Sequence, residues 1–323
     1  MLRRSLLPAL AALPFAARAQ RGAQAWSPER PVRLLVGFSA GGSTDTTARL
    51  VAQALTATLG QSVLVENRTG AGGNIASEAV ARAAPDGYTL VMGSMGTHAV
   101  NQALFPSLPF HVARDFAPVS LVALSPVLLV VHPSVPARSV GELVALAKAR
   151  PGALNCGTGG SGTSQHFAAV LFEQEAGVKF TQVAFRGGAP AMSELVTGRI
   201  DLVFSPVIEA LQQARAGQVR ALGISRTERS AQLPEVPTIA EGLPGYTFRS
   251  WLGVFAPAGT PTAAIGRLSQ EIAAALRQPE LREKMAELGY EPVGSTAEEF
   301  ASFQAAELPR VAELVRLSGA TPN

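Results

Sequence analysis

The stretch from Pro31 to Leu59 limits the fold most tightly. An apolar run, Val32-Arg33-Leu34-Leu35-Val36-Gly37-Phe38, passes through Ser39-Ala40-Gly41-Gly42-Ser43-Thr44-Asp45 into a segment with Leu50, Val51, Ala54, Leu55 and Leu59 on one face. That order reads as strand, glycine turn, helix start. The first four N–H groups of a helix have no acceptor within it, and the macrodipole places about half a positive charge there, so such a loop can receive an anion. Gly41 and Gly42 let the backbone approach a ligand closely, Ser43 or Thr44 can cap, and Asp45 falls in the first turn. A second loop, Gly157-Thr158-Gly159-Gly160-Ser161-Gly162-Thr163-Ser164, lies between another strand and a helix carrying Phe167, Val170 and Leu171. Two helix N-termini can therefore face one cleft. A third glycine group, Gly70 to Asn74, precedes a helix over 75–84 with Asn74 as its cap, and a tight turn explains it as well as ligand contact does.

Strand patterns recur at 32–38, 62–66, 88–93, 127–132, 153–157, 180–184, 201–204, 219–224 and 251–256, with helical patterns between most of them. Alternation of this kind predicts α/β architecture with parallel sheets and right-handed crossovers. Ser139 with Glu142 predicts a capping box that opens a helix ending at Pro151-Gly152. The tail is helical over 262–277, 280–288 and 296–317, the last opened by Ser295 and Glu298 or by Thr296 and Glu299. A length of 323 residues suits two such domains, each with its own core.

Residues 1–19 read as a cleaved signal peptide: Arg3 and Arg4, an apolar stretch from Leu6 to Ala17 broken by Pro8 and Pro14, then Ala17-Arg18-Ala19. Its length is too short to span a bilayer. The full chain has a formal charge of +3, and loss of Arg3, Arg4 and Arg18 removes all of it. A near-neutral mature chain gives no basis for a nucleic-acid surface or an anionic membrane surface. Cys156 is the only cysteine, so no internal disulfide forms.

Catalytic motifs are missing where they would be needed. Ser161 or Cys156 with His166 would suit a hydrolase, yet Ser161 stands in no GxSxG elbow, because Thr163 holds the last glycine position. Cys156 lies on an apolar strand, the usual setting of a small buried thiol. Neither GxGxxG nor GxxxxGK[ST] occurs, and no HExxH or clustered His and Cys suggests a metal. His98 and His166 each read more readily as hydrogen-bonded structural groups than as ligands or bases.

The segments RPVRLLVGFSAGGSTDTTARLVA, VENRTGAGGNIASEAVARAAPDGYTLVMG, FAPVSLVA, GTGGSGTSQH, FRGGAPAMSELVTGRIDLVF, LPEVPTIAEGLPGY and SWLGVFAPAGTP occur in that order. Together they resemble the Bug or TctC family, the extracytoplasmic solute receptors of tripartite tricarboxylate transporters. The resemblance implies a type II periplasmic binding fold, with two Rossmann-like α/β domains joined by two crossover strands near 124–128 and 247–253. One domain is then discontinuous, 27–125 plus 249–323, and the other is 126–248. It implies a non-enzymatic, monomeric, periplasmic receptor without a cofactor, closing on a di- or tricarboxylate, an acidic amino acid or an aromatic carboxylate, and partnered by transporter membrane subunits. Carried onto this chain, the ligand-binding residues are Phe38, Ala40, Gly41, Gly42, Ser43 and Asp45 from the first loop, and Gly162, Thr163, Ser164 and His166 from the second. Thr97, Asn101, Arg186, Gly187 and Ser205 are expected nearby, with Arg186 either gripping a second carboxylate or lying exposed. Asp45 is expected to cap its own helix and orient the loop rather than to touch an anion, with direct contact to an amino group on the ligand as the alternative. Trp251, on the return crossover, reads as a core residue or a reporter of closure. Ser39, Thr69 and Phe185-Arg186 depart from the usual proline, proline and tyrosine-lysine of the family. The alternatives are a sensor component binding the same anion and a periplasmic hydrolase.

Overall fold

The computed structural model describes residues 26–321 apart from 161, 186 and 231, so the leader at 1–19, Ser161 and Arg186 lie outside the described residues. From the N-terminal side the chain forms β1 (Val32–Val36), α1 (Ser43–Leu59), β2 (Val63–Asn67), α2 (Asn74–Ala81), β3 (Thr89–Ser94), α3 (Asn101–Leu104) and β4 (Phe116–Ser125). It continues through β5 (Val127–Val131), α4 (Val140–Ala149), β6 (Asn155–Thr158), α5 (Ser164–Ala176), β7 (Thr181–Ala184), α6 (Gly188–Val196), β8 (Leu202–Pro206), α7 (Val207–Arg215), β9 (Arg220–Ile224) and α8 (Ile239–Gly242). The last part is β10 (Ser250–Pro257), α9 (Thr262–Leu276), α10 (Pro279–Glu287), β11 (Glu291–Pro292) and α11 (Ala297–Ser318).

These strands make two sheets, ordered β11-β4-β10-β3-β1-β2 and β7-β6-β8-β5-β9. The chain leaves the first sheet after β4, crosses at Pro126 into β5 of the second, and re-enters the first on β10. The sheets are mixed rather than purely parallel. β1 pairs in parallel with β2 and β3, and β6 with β7 and β8. The strand that arrives from the other sheet runs against its neighbours: β10 is antiparallel to β3 and β4, and β5 is antiparallel to β8 and β9. Entry from the opposite side reverses the strand direction, which a local alternation pattern does not report.

Each sheet is covered by helices whose apolar stripes face it. Ala48, Val51, Ala52, Leu55 and Leu59 of α1 pack with Leu34, Leu90 and Leu268 over the first sheet. Ala191, Met192, Leu195, Val207 and Leu211 cover Leu128, Val130 and Val203 of the second. A third cluster joins the two and contains Phe167, Phe172, Trp251, Phe255 and Phe300. Trp251 is fully buried, edge-on to Phe300 and Phe303. The core reading of this tryptophan therefore holds. Phe300 lies so close over Gly253 of β10 that a Cβ there would overlap its ring.

Capping follows the sequence in part. Thr296 and Glu299 open α11 with a reciprocal capping box, and Ser139 accepts from Glu142 N–H at 3.1 Å to open α4. The Glu142 carboxylate instead accepts from Arg138 N–H at 2.7 Å. Asn74 is not a cap: it is the first residue of α2, and its Oδ1 accepts from Asn101 Nδ2 at 2.6 Å. That partner lies on another element, beyond the reach of a local reading.

Candidate functional site

A cavity of about 600 Å³ opens between the two sheets. On one wall are Phe38, Gly42, Ser43 and Thr44, and on the other Gly162, Thr163, Ser164 and Gly187. α1 begins there with Gly42 as its N-cap in an extended conformation and no side-chain cap. The Ser43 and Thr44 N–H groups thus find no acceptor among the described residues. α5 begins opposite, where Thr163 accepts from His166 N–H at 3.4 Å and donates to Gly160 O at 2.8 Å. α6 and α7 also start at the cavity, with Gly187 and Pro206 as N-caps and no side-chain cap on either. Four helix N-termini therefore point their unpaired donors and partial positive charges into one space, an arrangement suited to an anion.

The first loop is held from behind. Gly41, with φ of +81°, turns its N–H to Asp45 Oδ2 at 2.8 Å. Arg49 reaches both oxygens of Asp45, at 2.9 and 3.0 Å, and Asn67 Nδ2 bridges Asp45 Oδ1 at 2.8 Å and Phe38 O at 3.0 Å. Burial opposes ionisation of Asp45, but the Arg49, Gly41 and Asn67 bonds outweigh it and hold its carboxyl below the usual range. Asp45 is thus a fully compensated anion turned away from the cavity. Its position four residues before Arg49 is legible in the sequence; Asn67, from the adjacent strand, is not.

Of the residues expected at the site, Phe38, Gly42, Ser43, Gly162, Thr163, Ser164 and Gly187 line the cavity, as does Asn101. Ala40, Gly41 and Asp45 lie instead along the outer face of the loop with Thr46, Arg49 and Gln53. Thr97 is buried behind the wall, where its Oγ1 accepts from Ser94 N–H at 2.9 Å. Ser205 is fully buried, with its hydroxyl toward Glu209 at 3.5 Å. His166 Nδ1 accepts from Gly162 N–H at 3.1 Å and so braces the second loop; burial, with Lys179 adding, holds its pKa below the usual imidazole value. Arg186 lies outside the described residues.

Residues that sequence reasoning missed complete the walls: Ser94, Leu104, Phe105, Ile208 and Tyr290 among them, and Glu209. The Tyr290 hydroxyl sits beside Ser43 and Thr47 at the start of α1. Burial raises the pKa of Glu209, partly offset by Ser205. No ion pair involving Glu209 occurs among the described residues. Cys156 is fully buried, and burial pushes its thiol up, so no thiolate is available for nucleophilic attack. Among the described residues no group of three or more His, Cys, Asp or Glu could hold a metal.

Residues 47–319 match the sequence profile of the tripartite tricarboxylate transporter family receptor, TctC. Protein BugT of Bordetella pertussis is 38% identical over 295 residues, covering 91% of this chain and 90% of BugT. Among solved structures, R. palustris Rpa4515 with adipate is 37% identical with a TM-score of 0.78, the match covering 92% of this chain and 99% of that one. MatC from Rhodopseudomonas palustris with bound malate is 36% identical with a TM-score of 0.73, covering 89% and 99%. The matched family consists of receptors rather than enzymes.

Proposed function

The chain belongs to the tripartite tricarboxylate transporter family receptors, and from that membership we propose that it captures a small organic carboxylate in the periplasm and delivers it to the membrane subunits of such a transporter. The observation that carries this reading is the pairing of α1 and α5: an uncapped helix start from one sheet half and the Thr163-capped start of α5 from the other face one cavity. Backbone donors favour a carboxylate oxygen, and a neutral hydroxyl such as that of Ser164 adds about 1 kcal/mol of orientation. The adipate and malate of the two R. palustris proteins are consistent with that ligand class.

In this reading residues 27–125 plus 249–323 and residues 126–248 act as two bodies that close on the ligand as a monomer, after removal of residues 1–19. Closure brings both helix starts onto one anion, so the closed state gains through its higher affinity alone. Gly42, Ser43, Thr44, Gly162, Thr163 and Ser164 form the carboxylate contact. Asp45 and His166 shape the two loops without touching it.

A thermal-shift screen of dicarboxylates, hydroxy acids and amino acids on protein beginning at residue 20 tests this. A ligand at 100 times its dissociation constant adds about 2.7 kcal/mol of stability, a rise of several degrees in Tm. Absence of a shift with every carboxylate, alongside a shift with neutral sugars, would overturn the reading.

A further inference from the structure

Among the described residues Glu209 is the one acidic side chain on the cavity wall, and it stands where the helix starts of α6 and α7 would otherwise attract a ligand anion. It lies in the first turn of α7. Its Oε2 rests against Gly188, the first residue of α6, so closely that a Cβ at that glycine would overlap it. Two uncapped helix N-termini thus already have a carboxylate of the protein's own at their mouths. Among the described residues only weak side-chain donors reach it: Gln165 Nε2 at 3.3 Å and the Ser205 hydroxyl at 3.5 Å. Gln165 is itself buried, and its Oε1 has no donor among the described residues. This end of the cavity therefore carries the protein's own anion, and neither Glu209 nor Gln165 Oε1 has a strong side-chain donor among the described residues. The opposite end, at α1, holds donors without acceptors.

We propose that Glu209 sets ligand choice by filling the second anion position, so that the cavity takes a carboxylate whose far end carries an ammonium or another hydrogen-bond donor and rejects a second carboxylate there. This rests on the carboxylate-receptor reading above. One carboxylate of the ligand meets Ser43 and Thr44 N–H. Its far end meets Glu209, where an ammonium supplies a counter-charge that no described residue provides. A second ligand carboxylate would face Glu209 as a like charge in a partly desolvated space, an arrangement that weakens binding. Burial raises the pKa of Glu209, as expected for a carboxylate with no resident cation among the described residues.

Isothermal titration with two matched pairs tests the assignment: succinate against γ-aminobutyrate, and adipate against ε-aminocaproate. In each pair a carboxylate is exchanged for an aminomethyl group on the same chain. The wild-type protein is expected to bind the amino member of at least one pair on the order of tenfold or more tighter than its dicarboxylate. Glu209→Gln, which keeps the shape and removes the charge, is expected to erase or invert that preference. Tighter binding of both dicarboxylates by the wild type overturns the assignment, and so does a preference that survives in Glu209→Gln. The wild-type comparison stands alone if the variant does not fold. If carboxylates bind without preference between members of a pair, this inference fails and the receptor reading stands. If no carboxylate binds at all, both fail.

Discussion

Asp45 and His98 show how single side chains near the cavity serve the scaffold. An acid beside a glycine loop invites a chemical role, yet three sets of donors consume both Asp45 oxygens, and the carboxylate's work is to fix the loop so that Ser43 and Thr44 face the cavity. His98 is fully buried, stacked on Phe255 with ring centroids 4.2 Å apart, and bonded through Nδ1 to Thr97 Oγ1 at 2.9 Å. Burial lowers its pKa from 6.5 to about 3, so the folded protein holds the ring neutral while the unfolded chain takes up a proton below pH 6.5. The unfolded state then binds more protons. Stability is complete above pH 6.5 and falls toward pH 3 by up to about 1.4 kcal/mol per pH unit from this group. Urea unfolding of His98→Gln across that window is expected to show a flatter pH dependence than the wild type; parallel curves would remove His98 from the acid response. The sequence reading of this histidine as structural holds, whereas its depressed pKa depends on Phe116 and Phe255, which no local window brings beside it.

Elements were legible where their pattern is local. The strand patterns at 32–38, 127–132 and 219–224 correspond to β1, β5 and β9, and the tail helices to α9, α10 and α11. β4 carries no legible strand pattern, because Pro118 interrupts its start and Pro126 separates it from β5 within one long apolar run. β11 has two residues, Glu291 and Pro292, and exists only through pairing with β4. β10 is legible as a strand at 251–256, but its direction and its register shifts at Leu252/Gly253 and Val254/Phe255 belong to the sheet. Gly253 belongs to that packing. Gly253→Ala places a methyl group inside the Phe300 ring position, and the shift this forces is expected to destabilise the protein by about 1–3 kcal/mol in chemical denaturation. A cost below about 0.5 kcal/mol would mean that α11 moves freely over β10.

At the scale of the whole molecule, the site exists only because two sheets face each other. Arg226 Nε stands 2.9 Å from Glu291 Oε1, Gln232 Nε2 donates to Ala286 O at 2.6 Å, and Val207 packs on Gly289, all between residues of the second-sheet half and the first. The two glycine loops could be paired from sequence because each repeats the same strand, turn and helix order. Glu209 and Tyr290 could not, because they share a wall only through contacts far apart in the chain.

The central claim is that backbone N–H groups from both halves hold one carboxylate, and proline at the first helical position tests it most directly. Gly42 and Thr163, the residues before Ser43 and Ser164, are both extended, with ψ of 168° and 161°, so proline can follow either without strain. Ser43→Pro and Ser164→Pro each remove one backbone donor, and Ser43→Ala and Ser164→Ala control for the hydroxyls. Titration of the carboxylate with the largest thermal shift is expected to show each proline variant about tenfold or more weaker than its alanine control, the value of one hydrogen bond to a charged group. Folded proline variants that bind as tightly as their alanine counterparts would contradict the account.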